Sequence, residues 1–346
     1  MNADTDTSAD RVARALPKVL LHEHLDGGLR VATLLNLLQQ HGVPSPAPDE
    51  AQLAAWFKSN AHAGSLDKYL KGFALTVAAM ASPAALRRVA FEAAEDARAD
   101  GAVLAEFRIA PLLFEAHGVS GEATVEALLE GLAQSPLPTG LIVCGMRHEP
   151  SAETQRAARL ALRYQGRGVV GFDLAGAEYG HPPAEHQAAI TLVRDAGMAL
   201  TLHAGEADAA ERVLEAARLG AARIGHGVRL VDALSDPARR GLVDEAIALK
   251  LHLEVCPTSN VHTGAATSIA THPITALWRA GVSLSYHTDN RLMSCITHSG
   301  EAAELLLHTP LTRADLLAMA RQAAAHSFLP EAARQAALAK INAAAP

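Results

Sequence analysis

The chain has 346 residues, 49% of them hydrophobic, and a formal net charge of −7. It is long enough to bury a large core, and a single α/β barrel can use all of it as one domain. The negative balance, with no block of Lys or Arg, argues against non-specific nucleic-acid binding, which needs phosphate neutralisation; Cys144, Cys256 and Cys295 are too few and scattered for a disulfide framework or a zinc knuckle, and read as reduced thiols of a cytoplasmic protein.

The opening stretch "MNADTDTSAD" is polar and lacks the basic and apolar regions of a signal peptide, so residues 1–12 are expected to be flexible. No apolar run reaches the length of a membrane span. Thereafter short apolar, β-branched runs alternate with Ala/Leu/Glu/Arg segments of helical period. Strands are predicted over 18–25, 102–111, 139–149, 168–178, 198–206, 222–230, 249–260 and 282–290. Helices fall between them over 83–100, 121–134, 184–196, 208–219, 241–248 and 271–280, and three more close the chain at 299–307, 311–325 and 330–343. Eight strands alternating with helices predict a closed parallel (β/α)8 TIM barrel over 1–346. Residues 29–98 exceed what one crossover needs and are expected to form a helical insertion that lids the site.

Active-site groups of such a barrel project from the C-terminal ends of its strands. Strand one ends in "HEHLD", with His22 and His24 on alternate positions and therefore on one face. A lone strand histidine is an ordinary core residue, but an H-x-H at this place suits a metal, for which neutral imidazole is the commonest ligand. His203 ends strand five and Asp289 ends strand eight, completing an N3O donor set of the kind that binds catalytic zinc. Glu206, in "HAGE", is placed to move protons, or else is a first-turn acid of the next helix. His226, in "GHG", is accessible between glycines, or else is a turn histidine. "HLEVCP" lacks the second cysteine of the P-C-x-x-C deaminase signature, so His252 and Glu254, before their strand end, are assigned structural roles. No H-E-x-x-H, P-loop or dinucleotide fingerprint is present.

The motifs "PKVLLHEHLDGGLR", "FDLAGAE", "LHAGE", "RIGHGVRL", "EVCPTSN" and "HTDN", in this order, resemble the adenosine deaminase family of the amidohydrolase superfamily, bacterial members above all, over about positions 16–330. The resemblance implies one Zn2+ held by His22, His24, His203 and Asp289. Asp26 would bind the ribose 5′-hydroxyl, and the Gly176 N–H would meet purine N3. Glu206 would give a proton to N1, its pKa raised by burial beside the purine, and His226 would position the attacking water. Leu66, Tyr69 and Phe73 would form an apolar lid. Many members carry a second aspartate where this chain has Asn290, whose amide donates to purine N7 at any pH. Tyr286 has no assigned role, and His287 is expected to support Asp289.

The implied reaction is zinc-dependent hydrolysis of adenosine or 2′-deoxyadenosine to inosine or 2′-deoxyinosine and ammonia. Adenine, aminodeoxyfutalosine and N6-substituted adenine nucleotides are the alternative substrates within the family. Asp26 favours a hydroxyl over a phosphate, which it would repel. A non-catalytic nucleoside-binding barrel is a remote alternative, since no ligand and no Glu206 is missing. A binuclear site is disfavoured because strand four offers no bridging Lys.

Overall fold

The computed structural model describes residues 8–61 and 66–344, and the side chains outside 61–71. Eight parallel strands run in unbroken order: β1 Lys18–Leu20, β2 Ala102–Ile109, β3 Thr139–Met146, β4 Val169–Ala175, β5 Ala199–Ala204, β6 Arg223–His226, β7 His252–Val255 and β8 Ser283–Tyr286. A parallel bridge between Glu23 and Asp289 joins the two ends of the sheet, with His24 N donating to Asp289 O (2.8 Å) and Asp289 N to His22 O (3.0 Å). Helices pack outside, and Leu, Ile, Val and Ala fill the layer between helices and strands. The fold is the expected (β/α)8 barrel.

The departures are local. β1 stops at Leu20, so His22 and His24 sit just past it, in a segment paired by single bridges at Glu23 and His24 rather than by a continuous ladder. Residues 8–12, expected to be flexible, belong to a helix, Ser8–Ala15, that packs on the helix His298–His308. The predicted seventh strand, 249–260, is a four-residue strand followed by a helix, Pro257–His262. Its physical signal was Pro257, which suits a first helical turn because its missing N–H is not needed there.

The long first connection holds helices Val31–His41, Glu50–Ala61, Leu66–Met80 and Pro83–Ala99, the last capped by Ser82, whose side chain accepts from Ala85 N. Residues 1–7 lie outside the described residues. Among the described residues no helix is long and apolar enough to cross a membrane. The three cysteines are free thiols.

Candidate metal and catalytic site

The strand ends bring four donors together. One ligand atom from each of His22, His24, His203 and Asp289 lies within 4.8 Å of the others. His24 Nε2 is 3.3 Å from His203 Nε2, and Asp289 Oδ1 is 3.3 Å from His22 Nε2 and 3.6 Å from His24 Nε2. His22 Nε2 is buried with no hydrogen-bond partner. Burial pulls His24 well below the usual imidazole range, and His203 and His22 add to this against the raising effect of Asp289, so it presents a lone pair rather than a charge. An orphaned buried nitrogen among imidazoles and a carboxylate is the donor chemistry of a metal site, and the residues fit one ion.

Two of the three imidazoles have their second nitrogen committed elsewhere. His22 Nδ1 donates to Glu254 (2.9 Å) and His203 Nδ1 to Asp173 (2.9 Å), which leaves both Nε2 atoms as acceptors. Burial alone would raise these two carboxyls, but both are held well below the usual range: Asp173 by His203 and Arg108, Glu254 by Arg108 and Arg223. Arg108 bridges them, with Asp173 at 2.7 Å and Glu254 at 2.6 Å, all three fully buried. Arg223 pairs with Glu254 (2.6 Å) and Glu106 (2.7 Å). Glu254 therefore has the structural role assigned to it. Among the described residues the His252 ring bonds to Ser283 and Ser285 and stacks on His326.

Glu206 and His226 flank the donor set. Glu206 Oε1 accepts from Thr263 Oγ1 (2.8 Å) and Asn260 Nδ2 (3.1 Å), and Oε2 lies 3.5 Å from His226 Nε2. The loop bearing Glu206 is fixed from beneath, because Glu178 accepts from the backbone N–H groups of Gly205, Glu206, Ala207 and Asp208 at 2.5–3.2 Å. The helix Pro257–His262 is the other support: Ser259 Oγ donates to Asp289 Oδ2 (2.6 Å) and Asn260 reaches both Glu206 and His226. Sequence reasoning gave Asp173, Glu178, Ser259 and Asn260 no role, although all four lie inside the quoted motifs. His226 (φ 64°) and Asp289 (φ 57°) sit in the left-handed region, a conformation costing about 1–3 kcal/mol in non-glycine residues that clusters at functional sites.

These groups open onto a cavity of about 900 Å3, open mouth included, lined also by Asp26, Phe73, Gly176 and Asn290. Burial pushes Asp26 up to about 7, and its Oδ1 has no partner. Gly176 (φ 94°) turns the chain where β4 ends, and a Cβ there would meet His148 Nδ1 at 2.7 Å. Asn290 Oδ1 is buried without a partner, and a Cβ on Gly27 would run into it. Phe73 reaches the wall from the helix Leu66–Met80, whereas the side chains of Leu66 and Tyr69 lie outside the described residues. His287 does not support Asp289 directly. Its Nδ1 accepts from Leu21 N (3.2 Å) and its Nε2 meets Ser285 Oγ (2.7 Å), so it ties β8 to the segment after β1. Tyr286 is buried with its ring against His298.

The chain is similar to known deaminases over nearly its whole length. The family model "Adenosine deaminase" matches residues 17–344. An adenosine deaminase of Mycobacterium bovis is 43% identical over 333 residues, covering 92% of this chain and 91% of that protein. In fold, an Arabidopsis N6-mAMP deaminase superposes with a TM-score of 0.83 at 24% identity, covering 96% of this chain and 99% of the other. An adenine deaminase from Arthrobacter aurescens gives 0.83 at 23% identity, covering 95% and 98%. On the family match and the identity to its relatives, the chain belongs to the adenosine deaminase family.

Proposed function

We propose that this protein hydrolyses adenosine and 2′-deoxyadenosine to the corresponding inosines and ammonia, using one Zn2+ held by His22, His24, His203 and Asp289. The observation that carries this reading is the meeting of four metal donors, Glu206 and His226 at one cavity. The activity is that of relatives 43% identical over 92% of the chain. Three imidazoles and a carboxylate suit zinc. When bound, the metal supplies a Lewis acid that makes hydroxide available near neutral pH.

The chain's own residues supply the rest. Water oxygen bonds to C6, N1 takes a proton from Glu206, and the C6–N6 bond breaks as ammonia leaves, the two water protons restoring Glu206 and completing the ammonia. Glu206 Oε1 is occupied by two donors, so Oε2 is the oxygen that carries the proton to N1. His226 faces the attacking oxygen. Asn290 Nδ2 donates to N7, the Gly176 N–H meets N3, and Asp26 meets the ribose 5′-hydroxyl. Phe73, with the insertion 29–98 as a lid, excludes water above an apolar base, and the whole barrel works as one unit.

The cavity also speaks to the sugar. Among the described residues none of its lining side chains is Lys or Arg, while Asp26 Oδ1 has no partner. A 5′-phosphate would find no counter-ion among the described residues and would be repelled by the ionised form of Asp26, which favours nucleoside over nucleotide. The test is ammonia release from adenosine, 2′-deoxyadenosine, adenine, AMP and N6-methyl-AMP. Preference for adenine or for either nucleotide over adenosine would overturn the reading.

A further inference from the structure

The hydrogen bonds behind His226 form a one-way chain that starts outside the site. The backbone N–H of Ile274 donates to His272 Nδ1 (3.1 Å). That nitrogen is therefore an acceptor, and the single proton of a neutral His272 is on Nε2. Burial, assisted by His226, lowers His272 to about 3, so it is neutral near pH 7. His272 Nε2 then donates to Asn260 Oδ1 (3.3 Å). This fixes which way the Asn260 amide faces, a choice otherwise left open by its symmetry of shape. With Oδ1 committed, Nδ2 faces the site, and its two hydrogens have two acceptors at 3.1 Å: Glu206 Oε1 and His226 Nδ1.

We propose that Asn260, oriented by His272, is a positioning residue that holds His226 as the Nε2–H tautomer, so that His226 meets the attacking oxygen as a hydrogen-bond donor and not as a base. His226 Nδ1 is closed as an acceptor by Asn260. The proton is left on Nε2, the nitrogen that lies 3.5 Å from Glu206 Oε2 beside the cavity. The same amide ties Glu206 Oε1, so one side chain orients both groups that act on the purine. Both residues are buried, Asn260 fully and His272 to 4% exposure, and so are shielded from competing water. The catalytic consequence rests on the function proposed above, whereas the tautomer does not.

The decisive measurement is made on the metal-loaded, full-length protein labelled with 15N-histidine. Long-range 1H–15N correlation reports which ring nitrogen carries hydrogen, and His226→Gln assigns the resonance. The expected result is Nε2 protonated and Nδ1 bare at His226. A proton on Nδ1, alone or with one on Nε2, overturns the proposal. The second arm uses substitutions away from His226. His272→Leu removes the N–H that orients Asn260 and is expected to lower kcat about 10–100-fold, with KM and metal content retained. His272→Gln keeps an N–H at that place and is expected to recover most of the loss. Equal losses in the two variants, or a loss carried by metal content alone, overturn it as well. A wild-type protein that deaminates nothing would sink the function, and the NMR arm would still decide the tautomer.

Discussion

Gly27 and Asn290 occupy one space: a Cβ on Gly27 would lie 2.6 Å from Asn290 Cγ and 2.8 Å from Asn290 Cβ. The glycine in "HLDGG" is thus required by a residue at the far end of the chain. Gly27→Ala must displace the Asn290 amide from the cavity wall. Misplacing a substrate-orienting group by about 1 Å can cost on the order of 100-fold. The expected result is a fall in kcat/KM for adenosine with metal content unchanged, and Asn290→Leu should mimic it. Wild-type kinetics in Asn290→Leu would remove Asn290 from substrate binding.

Asp26 separates sugar recognition from base recognition. Asp26→Ala is expected to reduce kcat/KM for adenosine by at least tenfold, about 1.4 kcal/mol, and to leave the slow reaction with free adenine nearly unaffected. Parallel assays on both substrates check this. Equal losses on both would place Asp26 in the chemistry or in the fold rather than at the ribose.

The buried charges beneath the donors set up a stability contrast. Arg108→Met leaves Asp173 and Glu254 without their shared counter-ion, and both are fully buried. Breaking such a pair costs about 3–5 kcal/mol. Arg87→Ala removes an exposed pair with Glu130 and should stay within about 0.5 kcal/mol. Urea denaturation of the metal-loaded proteins measures both. Similar stability losses in the two variants would contradict the network's assigned weight.

Much of this was legible in sequence, and the boundary has a physical reason. Alternate spacing put His22 and His24 on one face, and strand ends located His203, Glu206, His226 and Asp289, because period and position are local properties. Their partners were not legible. Glu254 lies 232 positions from the His22 it orients, and Asp173 lies 30 from His203 on a neighbouring strand. Closure of the sheet makes the first pair neighbours, and pairing of β4 with β5 the second. The helix Pro257–His262 was read as strand because its apolar lead-in, "LKLHLEV", dominates the pattern while the helix itself is only six residues long.

Glu301 supplies a pH test. It is fully buried, and burial pushes it up to about 8 although Thr258 N donates to it. An unfolded glutamate titrates near 4.3. Between those values the native state binds the extra proton, so the stability this group contributes is whole below about pH 4.3 and is lost as pH rises through 8. Glu301→Gln should match wild type in thermal melts near pH 4.5 and exceed it near pH 8.5. A constant difference across that range would show that Glu301 does not titrate there.

Metal removal should be felt by the fold as well as by the reaction. A ligand that binds only the native state adds stability by mass action. Chelation is expected to lower the melting temperature and abolish deamination, and Zn2+ at one equivalent per chain should restore both. His203→Ala should melt at the same temperature with and without added Zn2+.

The arginine network described under the donors also carries a charge balance. Four acidic side chains belong to it or touch it: Asp289, Asp173, Glu254 and Glu106. Two guanidiniums, Arg108 and Arg223, answer them. With the imidazoles counted as uncharged ligands, these six side chains carry two more negative charges than positive, equal to the charge of one divalent cation. Within these six side chains the charges balance only with a divalent cation among the donors. Within this set a monovalent ion would leave a negative remainder and a trivalent one would overshoot, so the buried arginines bear on the valence that suits the site together with the four donors.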